Sequence, residues 1–216
     1  MKKIAIIGAG GFGREVKTII DAINKQEPRF TFMGFYDDGF KKGVLINGFP
    51  VLGGVDDINF IDEDFCIAIA IGEPKTKYLL YNKIKNARIT FPSIIHPSVQ
   101  ISDDFVDVGI GNIIGAGTII TCNIQIKDFV ILNLMCTVGH DTVIESFCSF
   151  MPSVNISGEV VVHEKVYVGT GAKIINQLEI GQGTVVGAGA VVSRSLPENC
   201  TAVGIPAKVI KYHESE

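Results

Sequence analysis

An apolar residue recurs at every sixth position through the second half of this 216-residue chain. In a chain that is 47% hydrophobic, so long an unbroken series arises by chance with a probability on the order of 10⁻⁵. A helix repeats about every 3.6 residues and a strand every two, so neither explains a period of six. The pattern predicts a parallel β-helix, in which each repeat supplies one short strand and one turn. The series is Val108, Ile114, Ile120, Ile126, Leu132, Val138, Ile144, Phe150, Ile156, Val162, Val168, Ile174, Ile180, Val186 and Val192.

The remaining positions of the six-residue repeat agree with this prediction. Four residues after each apolar position the side chain is again small or apolar, and only Asn112 breaks this second series. Glycine often follows the first apolar position, where we expect a tight corner that requires a positive φ angle. Two earlier repeats, 95–100 and 101–106, run one residue out of phase, and Asp107 is the expected insertion that restores the phase.

Composition and charge exclude several classes of function. The net charge of -4 and a pI near 5.6 argue against a nucleic-acid partner and against an anionic membrane surface. The apolar runs are too short to span a bilayer. The five cysteines lack the spacing of metal ligands, and Cys136 and Cys148 fall at inward positions of the repeats. We therefore predict buried thiols, no metal and a reducing, cytoplasmic location.

The first part of the chain follows a different pattern, in which strands alternate with helices. Strands are predicted at 3–7, 30–36 and 66–71, and helices at 14–25 and from Pro74 to about residue 86. This alternation is typical of a parallel sheet with covering helices. The predicted architecture is a Rossmann-like α/β domain over residues 1–92 and a β-helix domain with a C-terminal tail over 93–216.

A glycine-rich turn follows the first predicted strand. Gly8, Gly10 and Gly13 form the pattern G-x-G-x-x-G, which lets a backbone approach a phosphate at the start of a helix. Asp37 and Asp38 end the second strand, where an acid can bind a ribose hydroxyl. A dinucleotide, a nucleotide-sugar and an empty tight turn all remain open. The domain is short for a full dinucleotide fold, so the turn favours a nucleotide-sugar.

One of the four histidines stands at a corner of the predicted coil. His140 lies between Gly139 and Asp141, and a neighbouring acid can fix the tautomer of an imidazole. His96 is expected to be structural, His163 to be a solvated corner residue, and His213 to have no role. Three histidines can ligate zinc, but only His140 and His163 fall within the coils, so a metal site is not predicted. From spacing alone, His140 is equally consistent with a surface and a catalytic role.

Together these features resemble the bacterial left-handed β-helix acetyltransferases of the sialic acid O-acetyltransferase type, a family that includes UDP-4-amino-sugar N-acetyltransferases. The resemblance extends over nearly the whole chain. It depends on five segments: IIGAGGFGREV at 6–16, GFYDD at 34–38, IHPSV at 95–99, VGHD at 138–141 and GIPAK at 204–208.

The resemblance implies a homotrimer that binds acetyl-CoA between neighbouring β-helices. It implies that His140 is the general base, that Asp141 orients it, and that Asn133 lies near the reacting groups. Gly158 would offer its N–H to the thioester carbonyl. Thr170 and Ala188 would line the pantetheine. The nucleotide-sugar would lie on the first domain, against Gly10, Gly11, Phe12, Asp37 and Asp38.

Three positions depart from the family pattern. Phe12 stands where the amino-sugar enzymes commonly have a histidine, Ser149 where they have another polar residue, and Asp141 where they often have glutamate. These changes bear on the acceptor and leave acetyl transfer intact. We therefore predict N-acetylation of a nucleotide-linked sugar in surface glycan biosynthesis. O-acetylation of a sialic-acid-like sugar and a non-catalytic, nucleotide-binding trimeric scaffold are the alternatives.

Overall fold

The computed structural model of the chain describes residues 1–213, and these residues form two compact units. The first unit extends from Met1 to Pro97 and the second begins at Ser98. Each unit has its own core. The predicted boundary at residues 92 and 93, and the functions assigned to the two domains, stay predictions.

The first unit is a mostly parallel sheet with two α-helices and one 3₁₀ helix. Its six-stranded sheet has the order β3-β4-β2-β1-β5-β6, in which only the β3–β4 pair is antiparallel. The elements are β1 (Lys2–Ile7), α1 (Gly11–Gln26), β2 (Phe30–Tyr36), β3 (Leu45–Ile46), β4 (Phe49–Gly53), the 3₁₀ helix (Val55–Phe60), β5 (Phe65–Ile69), α2 (Pro74–Lys83), β6 (Ile89–Thr90) and β7 (Ile94–Ile95). The α/β class predicted from the alternation is confirmed.

Local signals in the sequence located most of these elements. Strand β2 has the predicted bounds, and every residue of β5 is buried, as its apolar run indicated. Helix α1 begins at Gly11 rather than at residue 14, because Gly10 is already its N-cap. Helix α2 begins at Pro74, as predicted, but ends at Lys83, about one turn early. The short strands β3 and β4 were not predicted.

The second unit is a left-handed parallel β-helix of two- and three-residue strands arranged on three faces. Face 1 consists of β10, β13, β16, β19 and β22, face 2 of β8, β11, β14, β17, β20 and β23, and face 3 of β9, β12, β15, β18 and β21. The strands are β8 (Gln100–Ile101), β9 (Val106–Val108), β10 (Ile113–Ile114), β11 (Ile119–Ile120), β12 (Ile124–Ile126), β13 (Ile131–Leu132), β14 (Thr137–Val138), β15 (Val143–Ile144), β16 (Ser149–Phe150), β17 (Asn155–Ile156), β18 (Val161–Val162), β19 (Tyr167–Val168), β20 (Lys173–Ile174), β21 (Glu179–Ile180), β22 (Val185–Val186) and β23 (Val191–Val192).

Both inward series of the repeat form the core of the β-helix. Every member of the first series except the half-buried Val108 is buried. Asn112, which breaks the second series, is also fully buried, and its side chain donates to the Gly109 carbonyl and accepts from the Val130 N–H. Cys136 and Cys148 point inward, as predicted. Burial raises the pKa of Cys136 to about 11, so this thiol stays protonated at neutral pH.

The glycines at the corners of the coil are not there for the predicted reason, which was a positive φ angle. The glycines that directly follow the first apolar position do not have positive φ angles; they allow close approach of the next coil instead. A Cβ atom on Gly169 would lie 2.5 Å from the Ala188 nitrogen, and one on Gly181 would lie 2.3 Å from the Glu198 nitrogen. Positive φ angles occur two residues later, at residues of many types such as Met135 and Asp141.

The phase shift at the start of the β-helix was assigned to the wrong residue. Asp107 pairs in register with Gln125, so it is an ordinary strand residue. The extra residue lies earlier, in the connection from Ile101 to Val106, because Ile101 pairs with Ile120 and Val106 with Ile124. The hexad pattern shows that a shift occurs between two repeats, but only pairing shows which residue is extra.

The β-helix ends in a hairpin after Pro197. Strands β24 (Cys200–Val203) and β25 (Lys208–Tyr212) pair antiparallel, and β24 extends face 1 by pairing with β22. The sequence pattern predicted only that this tail leaves the repeat, and its charged last residues, 214–216, lie outside the described residues. Within the part of the chain described, no helix is long and apolar enough to cross a membrane.

Candidate active site

His140 lies at the corner between face 2 and face 3, directly after β14. The chain turns here because Asp141 adopts a left-handed conformation, with φ of 58°. This turn brings Nδ1 of His140 to 2.7 Å from Oδ2 of Asp141. Both side chains are about half exposed, at 56% and 50%. The carboxylate therefore favours the tautomer in which Nδ1 carries the proton and Nε2 has a free lone pair.

Gly158 lies one coil further along the same corner, directly beneath the His140 ring. A Cβ atom on Gly158 would lie 2.5 Å from both Nε2 and Cε1 of His140. The Glu159 N–H donates to the His140 carbonyl at 2.7 Å and fixes the two corners against each other. Glycine at 158 is thus required by the imidazole above it, and the free Nε2 is positioned next to the Gly158 backbone.

The backbone N–H of Gly158 is unpaired within residues 1–213. Its neighbours are paired: the Ser157 N–H donates to the Ile174 carbonyl and the Glu159 N–H to that of His140. An unpaired N–H beside an imidazole is the arrangement that stabilises an oxyanion while a base removes a proton. The geometry therefore brings together three of the predicted site residues, His140, Asp141 and Gly158.

The Asp141 carboxylate is held in its charged form. Its hydrogen bond with His140 is the largest cause that lowers the pKa of this carboxyl below its ordinary value of 3.8. Burial acts in the opposite direction, while the Asn123 side chain and the charge of His140 lower this pKa further. Asp141 is therefore an anion at neutral pH.

Asn133 lies at a different corner of the coil, between face 1 and face 2, directly after β13. Its side chain is buried, and Oδ1 accepts a hydrogen bond of 2.7 Å from the Leu134 N–H. Its carbonyl accepts from the Thr118 hydroxyl. Within one chain, Asn133 and His140 are thus one face of the coil apart, and the role of Asn133 stays a prediction.

Thr170 and Ala188 are also at the corner between face 1 and face 2, on successive coils. The Gly189 N–H donates to the Thr170 carbonyl at 2.8 Å, and both side chains are exposed. Their neighbour Gly169 lies so close to Ala188 that no side chain fits between the coils. The two predicted pantetheine contacts therefore form one exposed edge of small residues, separated from His140 by face 2.

In the first unit, the glycine turn combines an open side with a packed side. A Cβ atom on Gly10 would meet no atom within 4 Å, and one on Gly11 would meet only Arg14, at 4.0 Å. A Cβ atom on Gly13 would lie 1.8 Å from the Gly8 carbonyl oxygen, so Gly13 is needed for packing of α1. Phe12 is half-buried at the start of this helix. The open backbone lies at the carboxyl end of β1, where parallel sheets bind phosphates.

Asp37 and Asp38 organise the loops around this turn. Oδ2 of Asp37 accepts from the Ala9 N–H and Oδ1 from the Gly39 N–H, both at 2.8 Å. Oδ1 of Asp38 accepts from the Val55 N–H at 2.8 Å, at the start of the 3₁₀ helix. Sequence reasoning assigned the two carboxylates to the nucleotide and missed these loop contacts. Their contact with a ligand stays a prediction.

The other corner histidine has carboxylate neighbours that sequence reasoning also missed. Nδ1 of His163 lies 3.3 Å from Glu145, and Nε2 lies 3.8 Å from Glu179. This cluster is at the corner between face 3 and face 1. No group of three or more potential ligands in residues 1–213 has the arrangement of a metal site.

The β-helix and the His140 site define the class of hexapeptide-repeat acyltransferases, and comparison with known proteins narrows this class. The family model of the PglD N-terminal domain matches residues 3–84. The GDP-perosamine N-acetyltransferase of Escherichia coli O157:H7 is 32% identical over 219 residues, which cover 98% of this chain and 97% of that protein. The chain therefore belongs to the hexapeptide-repeat sugar acetyltransferase family.

Solved structures of two related proteins have the same fold over nearly the full length of this chain. PerB from Caulobacter crescentus, in complex with CoA and GDP-perosamine, has a TM-score of 0.86 at 30% identity and covers 98% of both chains. The acetyltransferase domain of PglB from Neisseria gonorrhoeae, in complex with acetyl coenzyme A, has a TM-score of 0.87 at 31% identity. That alignment covers 97% of this chain and 99% of the other.

Proposed function

We propose that this protein transfers the acetyl group of acetyl-CoA to the amino group of a nucleotide-linked sugar. The observation that carries the proposal is the position of His140, with one ring nitrogen on Asp141 and the other close over the backbone of Gly158, whose N–H has no partner among residues 1–213. Relatives that align over the whole chain are named for N-acetylation of GDP-perosamine or were solved with CoA. A nucleotide-sugar amine and acetyl-CoA are therefore the proposed substrates.

The site supports direct transfer. The acceptor nitrogen attacks the thioester carbonyl, and Nε2 of His140 takes the proton that this nitrogen loses as the new C–N bond forms. Negative charge develops on the carbonyl oxygen, where the Gly158 N–H can donate to it. The C–S bond then breaks, and the CoA sulfur leaves with the proton held by His140. The Asp141 carboxylate stabilises the imidazolium between these two steps.

The glycine turn of the first unit is the proposed site for the nucleotide. The exposed backbone of Gly10 and Gly11 begins α1, and its N–H groups favour a negatively charged phosphate. Asp37 holds this turn by its hydrogen bond with the Ala9 N–H. Phe12, Asp37 and Asp38 are the further residues proposed to meet the nucleotide-sugar.

A homotrimer explains why the candidate residues lie at two different corners. His140 and Gly158 are at the corner between face 2 and face 3, whereas Asn133, Thr170 and Ala188 are at the corner between face 1 and face 2. In a ring with threefold symmetry, the corner of each subunit that carries His140 meets the corner of its neighbour that carries Thr170 and Ala188. Each groove then combines the base of one chain with the proposed pantetheine contacts of the next.

The proposed setting is the cytoplasm, where acetyl-CoA and nucleotide-sugars are made, and the proposed pathway is surface glycan biosynthesis. A non-catalytic scaffold needs neither the His140 pair nor a glycine beneath its ring, so the geometry favours the enzyme. An O-acetyltransferase would use the same base, so the acceptor alone distinguishes N-acetylation from O-acetylation.

The decisive experiment is release of free CoA thiol from acetyl-CoA with a panel of acceptors. Paired acceptors that differ only in an amino or a hydroxyl group at one sugar carbon, each with and without the nucleotide, separate the alternatives. Turnover with the nucleotide-linked amine alone is expected. Turnover only with hydroxyl acceptors supports the O-acetyltransferase, and no turnover with any acceptor supports the scaffold.

A further inference from the structure

The residues at the corner between face 1 and face 2 change abruptly in side-chain size along the β-helix. On successive coils, the residues with positive φ angles at this corner are Gly117, Met135, Ser153, Gly171 and Gly189. A Cβ atom on Gly171 or Gly189 would meet no atom within 4 Å, so the backbone there is open. Met135 is the only one of the five with a long side chain, and it is 61% exposed. The corner therefore has room for a ligand at one end and a bulky apolar side chain near the other.

The Met135 side chain lies against the preceding coil. The Met135 N–H donates to the Ala116 carbonyl at 2.9 Å, and a Cβ atom on Gly117 would overlap the Met135 sulfur. Its neighbour Leu134 is 41% exposed, and the Leu134 carbonyl accepts from the Ser153 N–H at 2.8 Å. Hydrogen bonds to both adjacent coils thus fix this corner, while two apolar side chains stay accessible. Such side chains gain free energy when an apolar group covers them.

Met135 and His140 lie on the same coil, at the two ends of β14. In a trimer whose axis runs along the coils, rotation keeps every residue at its own level. Met135 of one subunit then lies at the level of His140 of its neighbour. Thr170 and Ala188 lie two and three coils further along, about 10 and 14 Å away at a spacing of about 4.8 Å per coil. A thioester that extends along this edge towards His140 therefore has its acyl group next to Met135.

We propose that Met135, together with Leu134, closes the acyl end of this groove and restricts the donor to a short acyl group. This inference rests on the proposed function, because it assigns part of the groove in which acetyl-CoA is proposed to bind. An acetyl group has a single carbon beyond its carbonyl, whereas a butyryl group has a chain of three. The additional methylene groups need the space that the Met135 side chain fills in its position against Gly117. Met135 is thus a specificity-determining residue for the donor.

The test compares acetyl-CoA and butyryl-CoA as donors for the wild-type protein and for Met135→Gly. Glycine adopts the left-handed conformation of this position at little cost, as it does at Gly117. A misfitted methylene group typically changes kcat/KM about tenfold or more. We therefore expect Met135→Gly to raise the ratio of kcat/KM for butyryl-CoA to that for acetyl-CoA about tenfold or more. An unchanged ratio would overturn the inference, as would a wild-type protein that uses both donors equally well.

Lys165→Gly is the matched control for the loss of a corner side chain. Lys165 has the same φ angle as Met135, 59°, but lies at the corner between face 3 and face 1, which is outside the proposed groove. We expect the donor ratio to stay at its wild-type value in this variant, and a rise equal to that in Met135→Gly would overturn the inference. Met135→Ser provides a second variant, because Ser153 has a similar φ angle of 61° on the next coil. It should raise the donor ratio in the same direction.

Calorimetry without an acceptor separates this inference from the proposed function. Relative to acetyl-CoA, Met135→Gly should bind butyryl-CoA about tenfold more tightly than the wild-type protein does. If this shift occurs but no amine is acetylated, the proposed function is wrong and the acyl pocket is supported. If amines are acetylated but the affinity ratio is unchanged, the acyl group does not meet Met135. A Met135→Gly protein with a lower mass than wild type in light scattering would assign Met135 to subunit contact and also overturn the inference.

Discussion

The imidazole of His140 lies over the backbone of Gly158 so closely that no side chain fits between them; a Cβ atom at 158 would lie 2.5 Å from Nε2. The two residues are one full coil apart in sequence and adjacent in space because the coils stack in register. Gly158 has no positive φ angle, so the requirement for glycine comes from the ring alone.

Gly158→Ala is therefore expected to displace His140 rather than to destabilise the coil. The added methyl group must push the ring from its position, because the backbone at 158 accepts alanine. We expect kcat to fall about 100-fold or more, since both the base and the oxyanion donor are disturbed. The melting temperature should stay within a few degrees of wild type. Wild-type kcat in a folded Gly158→Ala variant would contradict the proposed site.

His140→Ala tests the base directly. Loss of a general base typically lowers the rate about 10²–10⁴-fold, so kcat should fall by this factor. The KM for acetyl-CoA should change little, because CoA is proposed to bind through backbone groups at another corner. A surface histidine without a role predicts a change of only a few-fold. Equal kcat values and equal pH profiles in the two proteins would exclude His140 as the base.

The carboxyl of Asp141 should titrate below its ordinary value of 3.8, because its hydrogen bond with His140 favours the ionised form. Because this pKa is lower in the folded state, the pairing stabilises the folded protein at pH values above the unfolded-state pKa. This contribution is lost as the pH falls through the lower, folded-state value. ¹³C NMR of the carboxyl measures the midpoint, and His140→Ala should move it back towards 3.8. A midpoint that is the same in both proteins would show that the pair does not form in solution.

Gly11→Val tests the proposed phosphate site. Because the space around Gly11 is open, the larger side chain should leave the fold intact and block nucleotide-sugar binding. Calorimetry should show lost nucleotide-sugar binding and unchanged acetyl-CoA affinity. The contrasting variant is Gly13→Ala, whose Cβ would collide with the Gly8 carbonyl and should destabilise the first unit itself. Unchanged sugar-nucleotide binding in Gly11→Val would make the turn purely structural.

Subunit complementation tests the homotrimer. His140→Ala and Ala188→Trp should each be inactive, because one lacks the base and the other blocks the proposed pantetheine edge. Mixed trimers should recover activity, since about one quarter of the grooves combine two unaltered corners when equal amounts assemble at random. Light scattering of the wild-type protein should give three times the 23.3 kDa mass of the chain. A monomer at micromolar concentration, or mixtures without recovered activity, would contradict the shared site.

The sequence by itself determined the architecture, because the signals for it are periodic and local. A period of six requires a coil with one strand per repeat, and the two inward series predicted the core almost residue by residue. The strand, glycine turn and helix at the start of the chain are likewise set by neighbouring residues, as the bounds of β2 show. The pairing of His140 with Asp141, the proposed base and its orienting acid, could be predicted for the same reason, because the two residues are adjacent.

Only the tertiary structure decided what the stacking of coils brings together. The contact of His140 with Gly158 and the use of Asp37 to hold the glycine turn both join residues that are far apart in sequence. The identity of a residue does not reveal its neighbour on the next coil unless the register is known. A one-residue shift such as that between Ile101 and Val106 changes every such pairing, and the hexad pattern located it at the wrong residue.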